Sequence, residues 1–306
     1  MVNKFRRTVA LTAAVSAAAL GLAACSKTGG DSGDSDSNLL SQLQDSGTVT
    51  VGINGEAPYS YIGDDGEPTG ATIAIAEKIY GELGIDDVEA TKVAWDSLIP
   101  GLNAGRFDMV SAGMSILPDR CEQAAFAHPT IMYTTALLVP EGNPMDLHNL
   151  QDVEKSGAKL AVESGTVENG YADDMGLDTL KMESPQDGMD AITSGRADVF
   201  ALTAISLETL VEKNSDKPIE ATDPFVAVVN GKQQVGAGAA VFRKENNDLR
   251  EAWNEQLEKI VSDPDTYEDT IGEFGFGEPW RPPEDVTTEM LCSGELPDAT
   301  ASSDEG

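Results

Sequence analysis

The residues able to do chemistry in this chain are better suited to recognising charge than to breaking bonds. His128 and His148 are the only histidines, and they stand too far apart in sequence to mark a metal site. No Ser-His-Asp, Cys-His or phosphate-loop constellation is present. What remains is polar and aromatic. Thr166 follows Gly165 where a helix is predicted to begin. Its backbone N–H and hydroxyl could take an anion there, aided by the helix dipole, or it could serve as a plain cap. Arg120 opens a short helix behind Pro118. A guanidinium there could hold a carboxylate through two parallel bonds, or sit idle on the surface.

Such groups need elements to bring them together, and one repeated phrase reveals those elements. Leu102-Asn103-Ala104-Gly105-Arg106-Phe107-Asp108-Met109-Val110-Ser111 is echoed by Ile192-Thr193-Ser194-Gly195-Arg196-Ala197-Asp198-Val199-Phe200-Ala201. Each copy reads as a helix end, a Gly cap, an Arg-x-Asp turn and a short apolar strand. Two copies imply two similar α/β lobes, with a ligand cleft beyond the carboxyl ends of their strands.

Strands are predicted at 48–53, 88–93, 109–112, 136–139, 159–162, 180–182, 199–202 and 234–242. Helices are predicted at 39–43, 70–83, from Asp96 as cap, from Pro118, from Thr166, and at 185–194 and 247–261. Asp64-Asp65-Gly66-Glu67 reads as a hairpin turn. The strand 136–139 is expected to leave the first lobe at Pro140, and 234–242 to return to it. Two crossings between lobes make a hinge. The fold class is therefore α/β, two-lobed, with lobe 1 at 42–138 and 240–294 and lobe 2 at 139–239.

The first residues are no part of that fold. Lys4, Arg6 and Arg7 precede an apolar run from Val9 to Leu22, which closes on Leu22-Ala23-Ala24-Cys25. This resembles a bacterial lipoprotein signal over 1–24, with Cys25 the lipidated residue and an ordinary secretory leader the alternative. Two acyl chains would anchor the protein to the extracytoplasmic face of the cell membrane. Residues 25–41 read as a flexible tether and 295–306 as a disordered tail. Cys121 and Cys292 remain; in an oxidising compartment an even remainder favours a disulfide over two unrelated thiols. The net charge of −33 disfavours nucleic acid as a partner. It suits a salt-rich habitat, or simply an acidic secreted protein.

Ordered pieces between Val51 and Phe276 resemble the family 3 solute-binding proteins of ABC importers. They are Glu56-Ala57-Pro58-Tyr59, Pro68-Thr69-Gly70, Trp95-Asp96-Ser97-Leu98-Ile99-Pro100-Gly101-Leu102, Gly113-Met114-Ser115-Ile116-Leu117-Pro118-Asp119-Arg120 and Glu163-Ser164-Gly165-Thr166. The runs 112–126 and 165–171 are similar to the ectoine- and hydroxyectoine-binding branch. The resemblance implies a type II periplasmic-binding-protein fold, no enzymatic activity, no cofactor, a monomer, and partnership with permease subunits. It implies that Arg120 grips a ligand carboxylate together with Thr166, that Tyr59 and Trp95 face the ligand's cation, and that Glu56 accepts its N–H groups. Two positions depart from the family pattern. Thr203 stands where amino acid binders carry an Asp for the α-ammonium, and Ser115 stands where the ectoine cage has a third aromatic. A compatible solute such as ectoine is thus the expected ligand, with a polar amino acid held by Glu56 as the alternative. A dehydratase of the same fold would need a general acid or base, for which Glu56 is the one candidate.

Overall fold

The repeated phrase does the same work twice. In the computed structural model, which describes residues 38–234 and 236–294, Asp108 donates its N–H to Thr50 O at 2.8 Å. The Thr50 N–H donates back to Asp108 Oδ2 at 3.0 Å. In the second copy Asp198 N–H donates to Lys159 O at 3.0 Å, and Lys159 N–H to Asp198 Oδ2 at 2.9 Å. Gly105 and Gly195 take the same left-handed conformation, with φ of 69° and 70°. Each Asp therefore aligns the strand after the phrase with the parallel strand beside it in its sheet.

In chain order the strands are β1 (Thr48–Ile53), β2 (Tyr61–Ile62), β3 (Pro68–Thr69), β4 (Asp87–Lys92), β5 (Met109–Ser115), β6 (Ala125–Phe126), β7 (Ile131–Tyr133) and β8 (Thr135–Pro140). There follow β9 (Leu160–Glu163), β10 (Thr179–Met182), β11 (Val199–Thr203), β12 (Ile219–Ala221), β13 (Val228–Val229), β14 (Lys232–Gln233) and β15 (Gly236–Phe242). The first sheet runs β4-β1-β5-β15-β6, with β7 also on β15. The second runs β10-β9-β11-β8-β12. In each, one strand lies parallel between two neighbours: β1 between β4 and β5, β9 between β10 and β11. The predicted hairpin forms as β2 and β3.

Each sheet carries its own core. Helix Ala71–Glu82 presents Ile75, Ile79 and Tyr80 to a lobe 1 core that includes Phe107, Phe242 and Trp253. The second sheet has separate apolar clusters, one around Phe200, Leu202 and Leu207, another around Leu137, Val162 and Val199. The strongly amphipathic helix Asn247–Val261 buries Leu249, Trp253, Leu257 and Ile260.

Several boundaries differ from the sequence expectation. The strand at 135–140 pairs with β11 and β12, so it opens lobe 2 and does not close lobe 1. Lobe 1 strands stop at Tyr133 and resume at Gly236. The crossings therefore fall at Thr134 and near Gln234, not at 138–139 and 239–240. The apolar run across 131–139 hides the crossing, because both of its halves are buried in a sheet. Residues 39–41 are not tether: they begin helix Leu39–Ser46, capped by Asn38, and Leu39 and Leu40 pack on the lobe 1 core. Asp96 caps no helix; it lies inside a 3-10 turn, Trp95–Ser97, ahead of helix Leu98–Asn103. The signal segment 1–24, Cys25 and the tail 295–306 lie outside the described residues. Among the described residues no helix is long and apolar enough to cross a membrane.

Cys121 and Cys292 form a disulfide with Cα atoms 5.7 Å apart. It ties helix Thr288–Ser293 to the four-residue helix Pro118–Cys121 that holds Arg120.

Candidate functional site

The carboxyl ends of the central strands face each other across the lobes. β1 delivers Asn54 and Glu56, β5 ends on Ser115, β9 ends on Glu163 ahead of Thr166, and β11 ends on Thr203. Between them lies a narrow cavity of about 20 Å³. Glu56, Tyr59, Trp95, Ser115, Thr166 and Thr203 line it, joined by Tyr133 and Glu168. Six of the seven sequence-predicted binding residues thus share one cavity. The seventh, Arg120, stands beside the cavity and is not part of its wall.

Arg120 is buried. Its Nη1 donates to Ser115 O at 3.1 Å and its Nη2 to Gly165 O at 2.7 Å. The guanidinium lies 5.7 Å from the centroid of the Trp95 ring. Trp95 Nε1 donates to the same Gly165 carbonyl at 3.0 Å. Two lobe 1 side chains therefore converge on one lobe 2 carbonyl. The approach is close: a Cβ on Gly165 would lie 3.3 Å from the Trp95 ring, and a φ of 79° strains any larger residue there. Burial lowers the Arg120 pKa from its ordinary value, and a guanidinium keeps its charge inside proteins.

A second interlobe latch centres on Glu56. Its Oε1 accepts from Ser206 Oγ at 2.5 Å and Thr203 Oγ1 at 3.3 Å, and its Oε2 accepts from Asn54 Nδ2 at 3.3 Å. Thr203 therefore answers a carboxylate from the opposite lobe, where a family Asp would supply one. Burial raises the Glu56 pKa, and these three hydrogen bonds hold it down.

The rings of Tyr59, Trp95 and Tyr133 line the cavity. Tyr59 packs at 6.4 Å and 90° against Tyr133, and at 5.2 Å against Phe276. Its ring lies over Gly113, where a Cβ would fall 2.6 Å from Cδ1 at a φ of 59°. The Tyr59 hydroxyl is buried beside Thr203. Tyr133 donates its hydroxyl to Ser115 Oγ. The wall that Ser115 leaves open is thus filled by a tyrosine from the crossover. Sequence reasoning missed Tyr133, which sits in an apolar run without the spacing of a site.

Thr166 lines the cavity and takes up the cap role that was the alternative for it. It caps helix Val167–Asp174, accepting from Asn169 N at 3.4 Å. Its hydroxyl donates to Glu163 O at 2.9 Å, and its N–H to the same oxygen at 3.3 Å. Both groups expected to receive a carboxylate are turned to the chain's own turn, which is the stronger local demand at a helix start.

Two further carboxyls were not legible in the sequence. Glu163, at the end of β9, is buried with no partner for Oε2. Burial, then the charge of Glu56, pushes its pKa up to about 9. Glu168, in the first helical turn, is buried and accepts from Thr135 Oγ1 at 3.2 Å. Burial is the main cause that pushes its pKa up to about 7. An acid in a first helical turn usually signals only the helix dipole.

The Glu163 shift has a consequence for stability. The folded carboxyl keeps its proton up to about 9, whereas an unfolded chain releases it near pH ~4.3. Between those values the folded state binds more protons, so stability falls as pH rises. Glu163→Gln keeps the neutral shape and is expected to melt a few degrees above the parent at pH ~8.5, a gain of ~1–2 kcal/mol. The advantage should shrink by pH ~5. Thermal melts of both proteins at the two pH values check this, and a difference that does not depend on pH would refute it.

Among the described residues no group of three or more His, Cys, Asp and Glu side chains could hold a metal ion.

Comparison with known proteins agrees with this architecture. The model of the bacterial extracellular solute-binding proteins, family 3, matches residues 49–273. The chain is 34% identical over 260 residues to a probable amino-acid ABC transporter periplasmic-binding protein, y4tE, of Sinorhizobium fredii, covering 83% of this chain and 86% of that protein. It is 27% identical over 232 residues to the L-cystine-binding protein TcyJ of Escherichia coli, covering 74% of this chain and 83% of that one. Among solved structures, EhuB in complex with hydroxyectoine superposes with a TM-score of 0.75 at 30% identity, over 83% of this chain and 97% of that one. An ancestral arginine-binding protein bound to arginine gives a TM-score of 0.66 at 26% identity, over 74% of this chain and 98% of that one. The chain belongs to the bacterial extracellular solute-binding proteins of family 3, two-lobed α/β transport components that bind solutes and are not enzymes.

Proposed function

We propose that this protein captures a small zwitterion in the interlobe cleft and delivers it to the permease of an ABC importer. One observation carries the reading. A buried guanidinium, Arg120, stands beside a cavity that is lined by a buried carboxylate, Glu56, and by the rings of Tyr59, Trp95 and Tyr133. A ligand carboxylate takes over the Arg120 donors now given to Gly165 O, and the ligand's cation lies against Tyr59, Trp95 and Tyr133 with Glu56 as acceptor. Closure of the lobes then excludes water, which strengthens each charged contact.

The ligand we favour is a compatible solute of the ectoine type. Thr203 brings no charge of its own for an α-ammonium, and three aromatic rings suit a delocalised cation. The similarity to EhuB, solved with hydroxyectoine, supports this choice. A polar amino acid is the second reading, favoured by the names of the relatives from Sinorhizobium fredii and Escherichia coli. Glu56 would then hold the ammonium. The protein acts as a monomer, tethered through lipidated Cys25 to the extracytoplasmic face of the membrane.

Titration calorimetry on a form starting after Cys25 tests this. The panel is ectoine, hydroxyectoine, glycine betaine and the polar amino acids, at low and high salt. Tight binding of ectoines alone is the expected result. Tight binding of an amino acid with ectoines silent would shift the assignment to the second reading. Binding of none would remove both.

A further inference from the structure

Glu168 is a carboxylate in the cleft for which the capture reading above assigns no task. It lines the cavity beside Tyr59, Tyr133 and Thr166. Thr135, the first residue past the lobe crossing, occupies one of its oxygens, Oε1. The other, Oε2, is buried with no hydrogen-bond partner. A carboxylate oxygen is an acceptor only, so what satisfies Oε2 must bring a donor. Leaving such an oxygen unpaired in a closed cleft is costly, and a cationic N–H is the partner that recovers most.

We infer that Glu168 is a second carboxylate contact for the ligand's cation, so that the cleft selects zwitterions with at least two N–H donors on the cationic group. One donor serves Glu56 and the other Glu168. Amidinium and guanidinium groups qualify, since each is planar and carries several N–H bonds. A quaternary ammonium, which has none, satisfies neither oxygen and relies on the aromatic faces alone. The inference rests on the capture reading of the same cleft and narrows its ligand class.

Ionisation follows from the same geometry. Glu168 faces Glu56 from the loop after β1, Glu163 at the end of β9, Tyr59 and Tyr133 from the aromatic wall, Arg120, and Tyr171 on its own helix. Burial and the neighbouring acids hold its pKa up to about 7. As pH falls below that value Glu168 takes up a proton and loses its charge. Affinity for an N–H-bearing cation should weaken as it does so, by up to ~10-fold per pH unit. Affinity for a quaternary ammonium should follow this titration much less steeply.

The test is calorimetry with ectoine and L-arginine as N–H-bearing probes and glycine betaine as the probe without such donors on its cation, from pH 8.5 to 5.5. The proteins are the parent, Glu168→Gln and Arg120→Ala. Gln keeps an oxygen for Thr135 and removes the charge. Glycine betaine is expected to bind the parent at least ~100-fold more weakly than the better N–H probe. Glu168→Gln should lose ~10- to 100-fold toward that probe and flatten its pH dependence. The betaine comparison on the parent stands even if the Gln variant folds poorly. A betaine that binds as tightly as the better N–H probe overturns the inference, as does a Glu168→Gln protein with the parent's affinity and pH profile. If Arg120→Ala abolishes binding in that case, the capture reading survives alone; if it too binds normally, both fall.

Discussion

Arg120→Ala is expected to lower affinity for the preferred ligand at least a thousandfold. Losing one partner of a buried, hydrogen-bonded charge pair costs ~2–5 kcal/mol, and a thousandfold is ~4 kcal/mol. Arg120 falls at the upper end of that range for two reasons. It is buried, with its side chain fixed by Ser115 O, Gly165 O and the Trp95 face. Among the described residues no lysine or other arginine lines the cavity, so no wall residue replaces its charge toward a carboxylate. Arg120→Lys is expected to recover less than a tenth of the loss in affinity. An ammonium cannot reproduce the planar fork or the stacking on Trp95. Stability should change much less than affinity, because Trp95 Nε1 still donates to Gly165 O. Calorimetry paired with thermal melts separates the two effects. Parent-like affinity in Arg120→Ala would end the assignment of the carboxylate to this end of the cleft.

Opening the Cys121–Cys292 bridge should produce the largest change in stability. The bond closes a loop with a sequence separation of 171. On the chain-entropy model such a loop contributes ~5 kcal/mol, an upper figure because the reduced chain retains structure. For a protein of this size that corresponds to a fall in Tm on the order of 10 °C. The effect should reach the site as well. Cys121 directly follows Arg120 in a helix of only four residues, and helix Thr288–Ser293 is held there through the bridge. The double variant Cys121→Ala with Cys292→Ala is therefore expected to bind more weakly even below its lowered Tm. Melting and calorimetry with and without reductant check both parts. Oxidised and reduced protein melting within ~2 °C of each other would refute the first, and equal affinities the second.

Much of the framework was legible because it is local. The strand 48–53 and the helix 247–261 fall where the periodicity placed them. A buried face declares itself within ten residues through spacing alone. The Gly-Arg-x-Asp phrase was legible for a similar reason: its hydrogen bonds align neighbouring strands by one rule in both lobes. Glu56, Tyr59, Trp95, Ser115 and Thr203 could be singled out by family resemblance, and all line the cavity.

What no local pattern carries is the meeting of the two sheets. Tyr133 belongs to an apolar run, and only the crossing at Thr134 turns its ring into the cleft. Glu163 and Glu168 read as ordinary acids among many in this chain of net charge −33. They become buried carboxyls because the opposite lobe takes away their water, and that desolvation is a property of the assembled cleft. Thr166 shows the reverse case. Its hydroxyl, which the family resemblance assigns to a ligand, is bonded within its own helix turn. The sequence by itself determined the elements and the types of residue at their ends, because periodic burial is short-ranged. The tertiary structure alone decided which of those residues face one another without water, because that depends on how two separately built sheets close.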